Sequence, residues 1–380
     1  MIEEARRVIE NAIRDRVFPA AALEVGSSTG PLRADAFGTL TFDRGSSPTG
    51  IGTPFDLASL TKVIATTTVL MQLVGSGRLR LDERVVACFP DWRGGDREPV
   101  TIRDLLEHAS GLSARLVDSP PVSRREFEHD ICTMRLEYAP RTQAVYSDLG
   151  FILLGFLAAD RGGASLAAQF NAIRVRLKPD TTYVKSDQGS GSVRPQPDVQ
   201  DSGSVGLQAD LLTFGLAPDA RRLAAPTLPM ADDSRRGRAL AGEVHDNYAA
   251  ALGGVAGHAG LFGTATSVGA FARVVLRATR DDAGLPEPFT AGLVRQFTTK
   301  SSMPGSSRAL GWDTMQPTSS CGTRMSASAF GHVGFTGTSL WVDPGRDRYF
   351  VLLTNRVCGG GTPDQMRTVR RAFHDALGDF

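Results

Sequence analysis

Lysine, cysteine, net charge and long apolar runs are all scarce in this 380-residue sequence. Forty-two basic residues face 41 acidic ones, a formal net charge of +1. That balance leaves no electrostatic footprint for a nucleic acid or an anionic membrane surface. Only four of the basic residues are Lys, at 62, 178, 185 and 300. The four Cys (Cys88, Cys132, Cys321, Cys358) lie far apart with no C-x-x-C pair, which argues against a zinc site or a redox dithiol. The longest apolar stretch, Val63 to Val74, carries three Thr and a Gln and is too short to span a bilayer. Residues 1–17 are charged and lack the apolar segment of a signal peptide. Scattered thiols and no export signal give the expectation of a cytoplasmic protein. There is no H-E-x-x-H, no P-loop and no internal repeat.

What is present reads as globular. Hydrophobic residues make up 41% and charged residues 22%, and 40.5 kDa suits one large domain or two lobes. Residues 2–16 have apolar positions at helical spacing, from Ile2 and Ala5 to Ala12 and Ile13. Ala20 to Val25 and Ala34 to Phe42 read as strands around the turn Ser27-Ser28-Thr29-Gly30. A helix apolar nearly all round is expected from Ser59 to about Ser76, stopped by Gly75 and Gly77. Thr101 and Asp104 form a capping-box pattern opening a helix through Ala109, ended by Gly111. Leu149 to Ala159 reads as another buried helix. Ser339–Val342 and Tyr349–Thr354 flank Asp343-Pro344-Gly345 as a hairpin, and a terminal helix follows from Pro363 to Leu377. Strands at both ends imply an α/β (α+β) fold. Its antiparallel sheet is built from residues 1–58 and 300–380, flanked by helices, with a mostly helical lobe, 59–299, inserted. Residues 178–206 are rich in Asp, Ser, Gly and Pro and read as a mobile loop.

Four constellations carry chemistry. Ser59-Leu60-Thr61-Lys62 places Ser and Lys one helical turn apart on one face. Burial lowers a Lys pKa, so Lys62 could lose its charge and take the Ser59 proton. The helix N-terminus adds N–H groups and positive potential beside any oxyanion. The alternative is a surface Lys one turn past a capping Ser. Tyr146-Ser147-Asp148 precedes the next buried helix. Tyr146 is there either a base, if nearby positive charge lowers its pKa, or a core residue with its hydroxyl on a carbonyl. Gly331-His332-Val333-Gly334-Phe335-Thr336-Gly337-Thr338 opens the terminal hairpin. Its glycines allow close approach of a substrate or of another backbone. Val244-His245-Asp246-Asn247 and Gly253 to Gly260 look like tight loops. His258 either reaches the site or is a satisfied structural histidine.

Together, the ordered Ser59/Lys62, Tyr146/Asp148 and His332/Gly334 motifs resemble the serine β-lactamase and penicillin-recognising superfamily. They resemble most its class C-like branch with the family VIII carboxylesterases. Leu105 to Leu112, reading L-L-E-H-A-S-G-L, adds to the likeness, which spans nearly the whole chain apart from 178–206. The resemblance implies that Ser59 is the acyl-accepting nucleophile and that Lys62 and Tyr146 share the base role. It implies an oxyanion hole of the Ser59 and Phe335 N–H groups, hydrolysis of the acyl-enzyme by water, and no cofactor or metal. A shifted register would put Thr338 in place of Phe335. Asp148 stands where the family has Asn; His332 and Val333 stand for the Lys and Thr of Lys-Thr-Gly, which hold a substrate carboxylate. These departures favour small neutral esters, with β-lactamase or D-amino-acid peptidase activity as the alternative. A catalytically silent scaffold on the same fold is the contrasting reading. The partner expected is a small-molecule ester, with no nucleic acid and no membrane.

Overall fold

The structure, a computed structural model, describes residues 2–116, 121–174 and 211–378. The stretch 178–206 lies outside the described residues. Strands β1 (Ala20–Ser27) and β2 (Gly30–Gly38) come from the start of the chain. Short strands β3 (Phe55–Asp56), β4 (Leu212–Phe214) and β5 (Leu261–Gly263) form a separate three-stranded sheet. The last four are β6 (Asp313–Thr314), β7 (Phe330–Val333), β8 (Ser339–Asp343) and β9 (Arg348–Thr354). The six-stranded sheet runs β2-β1-β9-β8-β7-β6, every neighbour antiparallel. Within it β1 pairs with β9, Ala21 opposite Thr354 through Gly26 opposite Tyr349. The two chain ends therefore meet in one sheet.

Strand alternation decides the layers. Ala21, Leu23 and Val25 point to one face. Helices α1 (Ile2–Arg14) and α6 (Pro363–Leu377) cover it with Ala5, Ile9, Met366 and Phe373. Ala20 and Ala22 point to the other, where α5 (Ala265–Thr279) lays Phe271 and Leu276 against Val351 and Leu353. That same cluster continues through Leu70 of α2 (Thr67–Gly75) and Phe151 of α4 (Asp148–Gly162), so sheet and helices share one core. Between α2 and α4, the capping box of Thr101 and Asp104 opens the short α3 (Ile102–Leu106).

Three expectations need correction. Helix α3 ends at Leu106 and does not run through Ala109, and His108 beyond it turns to φ 57°. The second strand is Gly30–Gly38, not Ala34–Phe42. A two-residue turn at Ser28-Thr29 brings Ser27 opposite Gly30, and Gly38 ends the strand at φ 76°, where a Cβ would lie 2.0 Å from the Pro19 carbonyl oxygen. A nucleophile-elbow spacing, Gly26-x-Ser28-x-Gly30, falls on this hairpin, where Ser28 bonds Asp347 and no other side chain among the described residues. The helix after Ser59 is not α throughout. Residues 62–66 are π-wound, with the Thr67 N–H reaching back five residues to the Lys62 carbonyl. Such widened turns concentrate at functional sites.

Candidate active site

Three backbone devices place Ser59. Asp56, on β3, accepts hydrogen bonds from Ala58 N (2.8 Å) and His245 N (2.6 Å). Burial raises the Asp56 pKa to about 6. Ala58 is held at φ 47°, a left-handed conformation unfavourable for a residue with a Cβ. Thr336 Oγ1 and Thr338 Oγ1 donate to the carbonyls of Asp56 and Leu57, tying the β7–β8 turn to the segment before Ser59. Gly334 makes this approach possible, since a Cβ there would lie 2.7 Å from the Leu57 oxygen.

Around Ser59 the structure gathers the two other residues of the Ser/Lys/Tyr set. Lys62 Nζ donates to Ser59 Oγ at 3.1 Å, and Tyr146 Oη donates to the same oxygen at 2.7 Å. Tyr146 is aimed by its neighbour Ser147, whose N–H donates to His108 Nδ1 (3.0 Å) and whose hydroxyl donates to the Ser113 carbonyl (2.6 Å). His108 and Tyr146 rings lie 4.8 Å apart.

Lys62 does not become neutral by burial. It is fully buried, and desolvation pulls its pKa down, but the Asp148 carboxylate at 2.7 Å and Tyr146 outweigh it and hold the pKa above the ordinary Lys value. The Asp148 carboxylate thus opposes the loss of charge that burial alone would impose on Lys62. Burial also raises the Tyr146 pKa; Lys62 counters this and Asp148 adds to it. Lys62 also donates to the His258 carbonyl at 3.3 Å, which puts the Gly253–Gly260 loop in the site wall. The His258 ring sits behind, with Nε2 2.8 Å from Asp246 Oδ1.

Arg115 completes a charge chain that the sequence did not reveal. Its Nη1 lies 2.8 Å from Asp246 and 3.3 Å from Asp148, its Nη2 donates to Asn247 Oδ1 at 2.5 Å, and its guanidinium lies over the Tyr248 ring. Asp148, Asp246 and His258 have ligand atoms within 4.8 Å of one another. Both Asp148 oxygens already face protein cations, Oδ1 facing Lys62 and Oδ2 facing Arg115, so an ion there would have to compete with one of them.

The cavity above Ser59 holds about 420 Å³ and is lined by Ala58, Tyr146, Asp148, His258, His332 and Phe335 among others. His332 is buried, and desolvation keeps it uncharged. Its Nδ1 lies 2.8 Å from the Val333 carbonyl and so carries the proton, leaving Nε2 a buried acceptor with no partner among the described residues. Phe335 is half-exposed, stacked on His245 and approached by the Arg356 guanidinium at 4.6 Å from its ring centre. Burial lowers the His245 pKa to about 4. Thr338 is fully buried with its hydroxyl on Leu57, so Phe335, and not Thr338, reaches the cavity. Neither Ser59 N nor Phe335 N has an acceptor among the described residues. Sequence reasoning missed Arg115, Arg308, Arg356 and Arg370, all of which line the cavity. With nearly every basic residue an Arg, nothing in the composition marked these four.

A family model described as Beta-lactamase matches residues 5–374. A putative D-alanyl-D-alanine carboxypeptidase of Escherichia coli (strain K12) is 29% identical over 80% of this chain and 69% of its own length. An N-acetylmuramyl-L-alanine amidase of Bacillus subtilis (strain 168) is 30% identical over 80% of this chain and 68% of its own. Among solved structures, a class C β-lactamase from Rhodobacter sphaeroides superposes with a TM-score of 0.71 at 17% identity, covering 98% of this chain and 99% of its own. EstCE1, a hydrolase with promiscuous acyltransferase activity, gives 0.68 at 17%, covering 97% and 98%. At these identities the structural likenesses show the fold.

Proposed function

The chain belongs to the β-lactamase family and is a serine hydrolase of that fold; on that premise we propose that it cleaves small carboxylic esters through an acyl-enzyme on Ser59. The observation that carries the reading is the position of Ser59 Oγ, 3.1 Å from Lys62 Nζ and 2.7 Å from Tyr146 Oη at the cavity. With Asp148 holding Lys62 protonated, the acceptor for the Ser59 proton is Tyr146 as tyrosinate, its charge stabilised by the adjacent ammonium. Because the two groups titrate together, the active form is the pair after one proton has left. Ser59 Oγ attacks the ester carbonyl, and the carbonyl oxygen gathers negative charge between the Ser59 and Phe335 N–H groups. The alkoxide leaves with a proton from Tyr146; water then attacks the acyl-enzyme with Tyr146 taking its proton, and Tyr146 returns that proton to Ser59 Oγ as the Oγ–acyl bond breaks and the acid leaves.

An ester with an apolar acyl group fits the walls supplied by Val333, Phe335 and Met230. His332 supports a neutral substrate, since it is uncharged and its one ring proton is committed to the Val333 carbonyl, leaving nothing to hold a carboxylate. A second reading, cleavage of an amide in a carboxylate-bearing peptide, is favoured by Arg308. Its guanidinium lines the cavity, makes no side-chain hydrogen bond among the described residues, and lies 4.0 Å from Asp313. The names of the two curated relatives, both amide hydrolases, point the same way.

The test is turnover of p-nitrophenyl butyrate, nitrocefin and D-alanyl-D-alanine by wild type and Ser59→Ala. Ester turnover that vanishes in the variant, with the other two untouched, is the expected result. Faster cleavage of nitrocefin or the dipeptide than of the ester would move the substrate to the second reading. Ester turnover that survives Ser59→Ala would end the mechanism.

A further inference from the structure

Two buried arginines stand behind the turn that carries Phe335. Arg370, from α6, donates through Nη2 to the Gly334 carbonyl at 2.6 Å and to the Thr338 carbonyl at 2.9 Å. Arg356 donates to the Phe335 carbonyl through Nε at 3.1 Å and Nη2 at 2.5 Å, and to the Gly361 carbonyl through Nη1 at 2.7 Å. Both are more than nine-tenths buried. Neither pairs with a carboxylate among the described residues, and Arg370 Nε has no partner there. A buried cation without a counter-ion is costly, so structural cohesion alone is a poor reason for two of them side by side.

Their targets give a reason. Gly334 O and Phe335 N belong to one peptide unit, and in a trans peptide the C=O and N–H point in opposite directions. The Gly334 carbonyl is fixed from one side by Arg370 and by the Gly337 N–H at 3.0 Å. The Phe335 N–H must then point away from Arg370. No described residue accepts it, and the cavity beside Ser59 is lined by Gly334 and Phe335. A cation on the carbonyl also polarises the amide, making its N–H a stronger donor. Resting on the Ser59 reading above, we propose that Arg370, seconded by Arg356, is a positioning residue that aims and polarises the Phe335 N–H for the oxyanion of the tetrahedral intermediate. Arg370 need not touch substrate in this role.

The probe is p-nitrophenyl acetate, a neutral ester with no carboxylate for an arginine to hold. Removing an oxyanion donor outright costs about 10²–10³-fold in kcat. Loosening one, in Arg370→Gln, is expected to lower kcat by roughly 10–100-fold with KM within about threefold. Inhibition by phenylboronic acid, which forms a tetrahedral adduct on Ser59, is expected to weaken by the same factor, and Arg370→Lys is expected to recover part of both. An Arg370→Gln enzyme with unchanged kcat, or with KM alone raised, overturns the proposal. If that variant does not fold, a crystal structure of the wild type with phenylboronic acid decides. A boronate oxygen on Phe335 N with Arg370 still on Gly334 O is the expected result; an oxygen bound elsewhere overturns it. Ser59→Ala separates the two layers. Turnover surviving in it removes the Ser59 reading and this one together; turnover lost there but intact in Arg370→Gln removes only this one.

Discussion

At the scale of the residue, Asp148 sets the chemistry of its neighbours. Its carboxylate faces Lys62 through one oxygen and Arg115 through the other, with Asp246 and His258 close by. Burial opposes its ionisation, but Lys62 and then His258 keep its pKa below the usual Asp value. In turn its charge raises the pKa of both Lys62 and Tyr146. Ester turnover requires the Lys62–Tyr146 pair to lose one proton, so kcat/KM is expected to climb with pH through the neutral range. In Asp148→Asn both members lose the same anionic neighbour, and the climbing limb is expected to move to lower pH whichever of the two holds the last proton. A pH–rate profile of p-nitrophenyl butyrate hydrolysis reads this directly. A limb that stays put would show that some other group sets it.

Elements explain how such residues come together from positions far apart in the chain. Helix α4 carries Asp148 at its first turn and packs its Gly155 against Gly257, whose Cβ, if it had one, would lie 1.9 Å from the Phe151 carbonyl and 2.8 Å from Gly155 N. Both obstacles are helix backbone, which cannot step aside. The contact seats the loop that gives the Gly257 carbonyl to Thr66 and the His258 carbonyl to Lys62. Gly257→Ala is therefore expected to cost about 1–3 kcal/mol, the usual range for overpacking, and to lower turnover by lifting His258 from Lys62. Thermal melting and ester kinetics check both, and a variant equal to wild type in each would mean the loop does not hold Lys62. Elements were also the most legible scale. The terminal helix expected from Pro363 to Leu377 is α6, where the Thr362 capping box and the amphipathic face agree on the same span. Ser59, Lys62 and Tyr146 were legible because each lies at a helix entrance with a recognisable local spacing. The π-wound turn was not, because it follows from tertiary packing and not from propensity. Nor were Arg370 and Arg115, whose roles depend on partners 36 and 131 residues away.

At pH 7 the whole molecule carries almost no net charge, so near neutrality its response to pH rests on buried groups more than on long-range repulsion. Four buried histidines (His108, His245, His332, His374) are held below their ordinary value of 6.5, in each case first by desolvation. Uncharged when folded, they contribute stability fully above pH 6.5 and lose it as pH falls, since the unfolded chain binds those protons. For His245, at about 4, the loss is on the order of 3 kcal/mol. Two buried carboxyls act in the opposite sense. Burial lifts Asp56 to about 6 and Glu24 to about 7, the latter with only the Tyr349 hydroxyl, 2.7 Å away, hydrogen-bonded to it among the described residues. Protonated when folded, they contribute fully below their unfolded values of 3.8 and 4.5, and the contribution drains away as pH rises to 6 and 7. Between pH 4.5 and 6 the four histidines outnumber the two carboxyls, and stability is expected to rise with pH. Between pH 6.5 and 8 the unfolded chain's remaining histidine protons and the folded chain's Glu24 proton are lost together and their effects oppose, so stability is expected to level off. Glu24→Gln keeps the hydrogen bond to Tyr349 but cannot ionise, so it removes the opposing contribution that drains from pH 4.5 to 7, and its thermal midpoint is expected to rise more steeply with pH over that range than that of the wild type. Melting curves of the two proteins across pH 4.5–8 test this, and parallel profiles would place the opposing contribution outside the sheet's buried carboxyl.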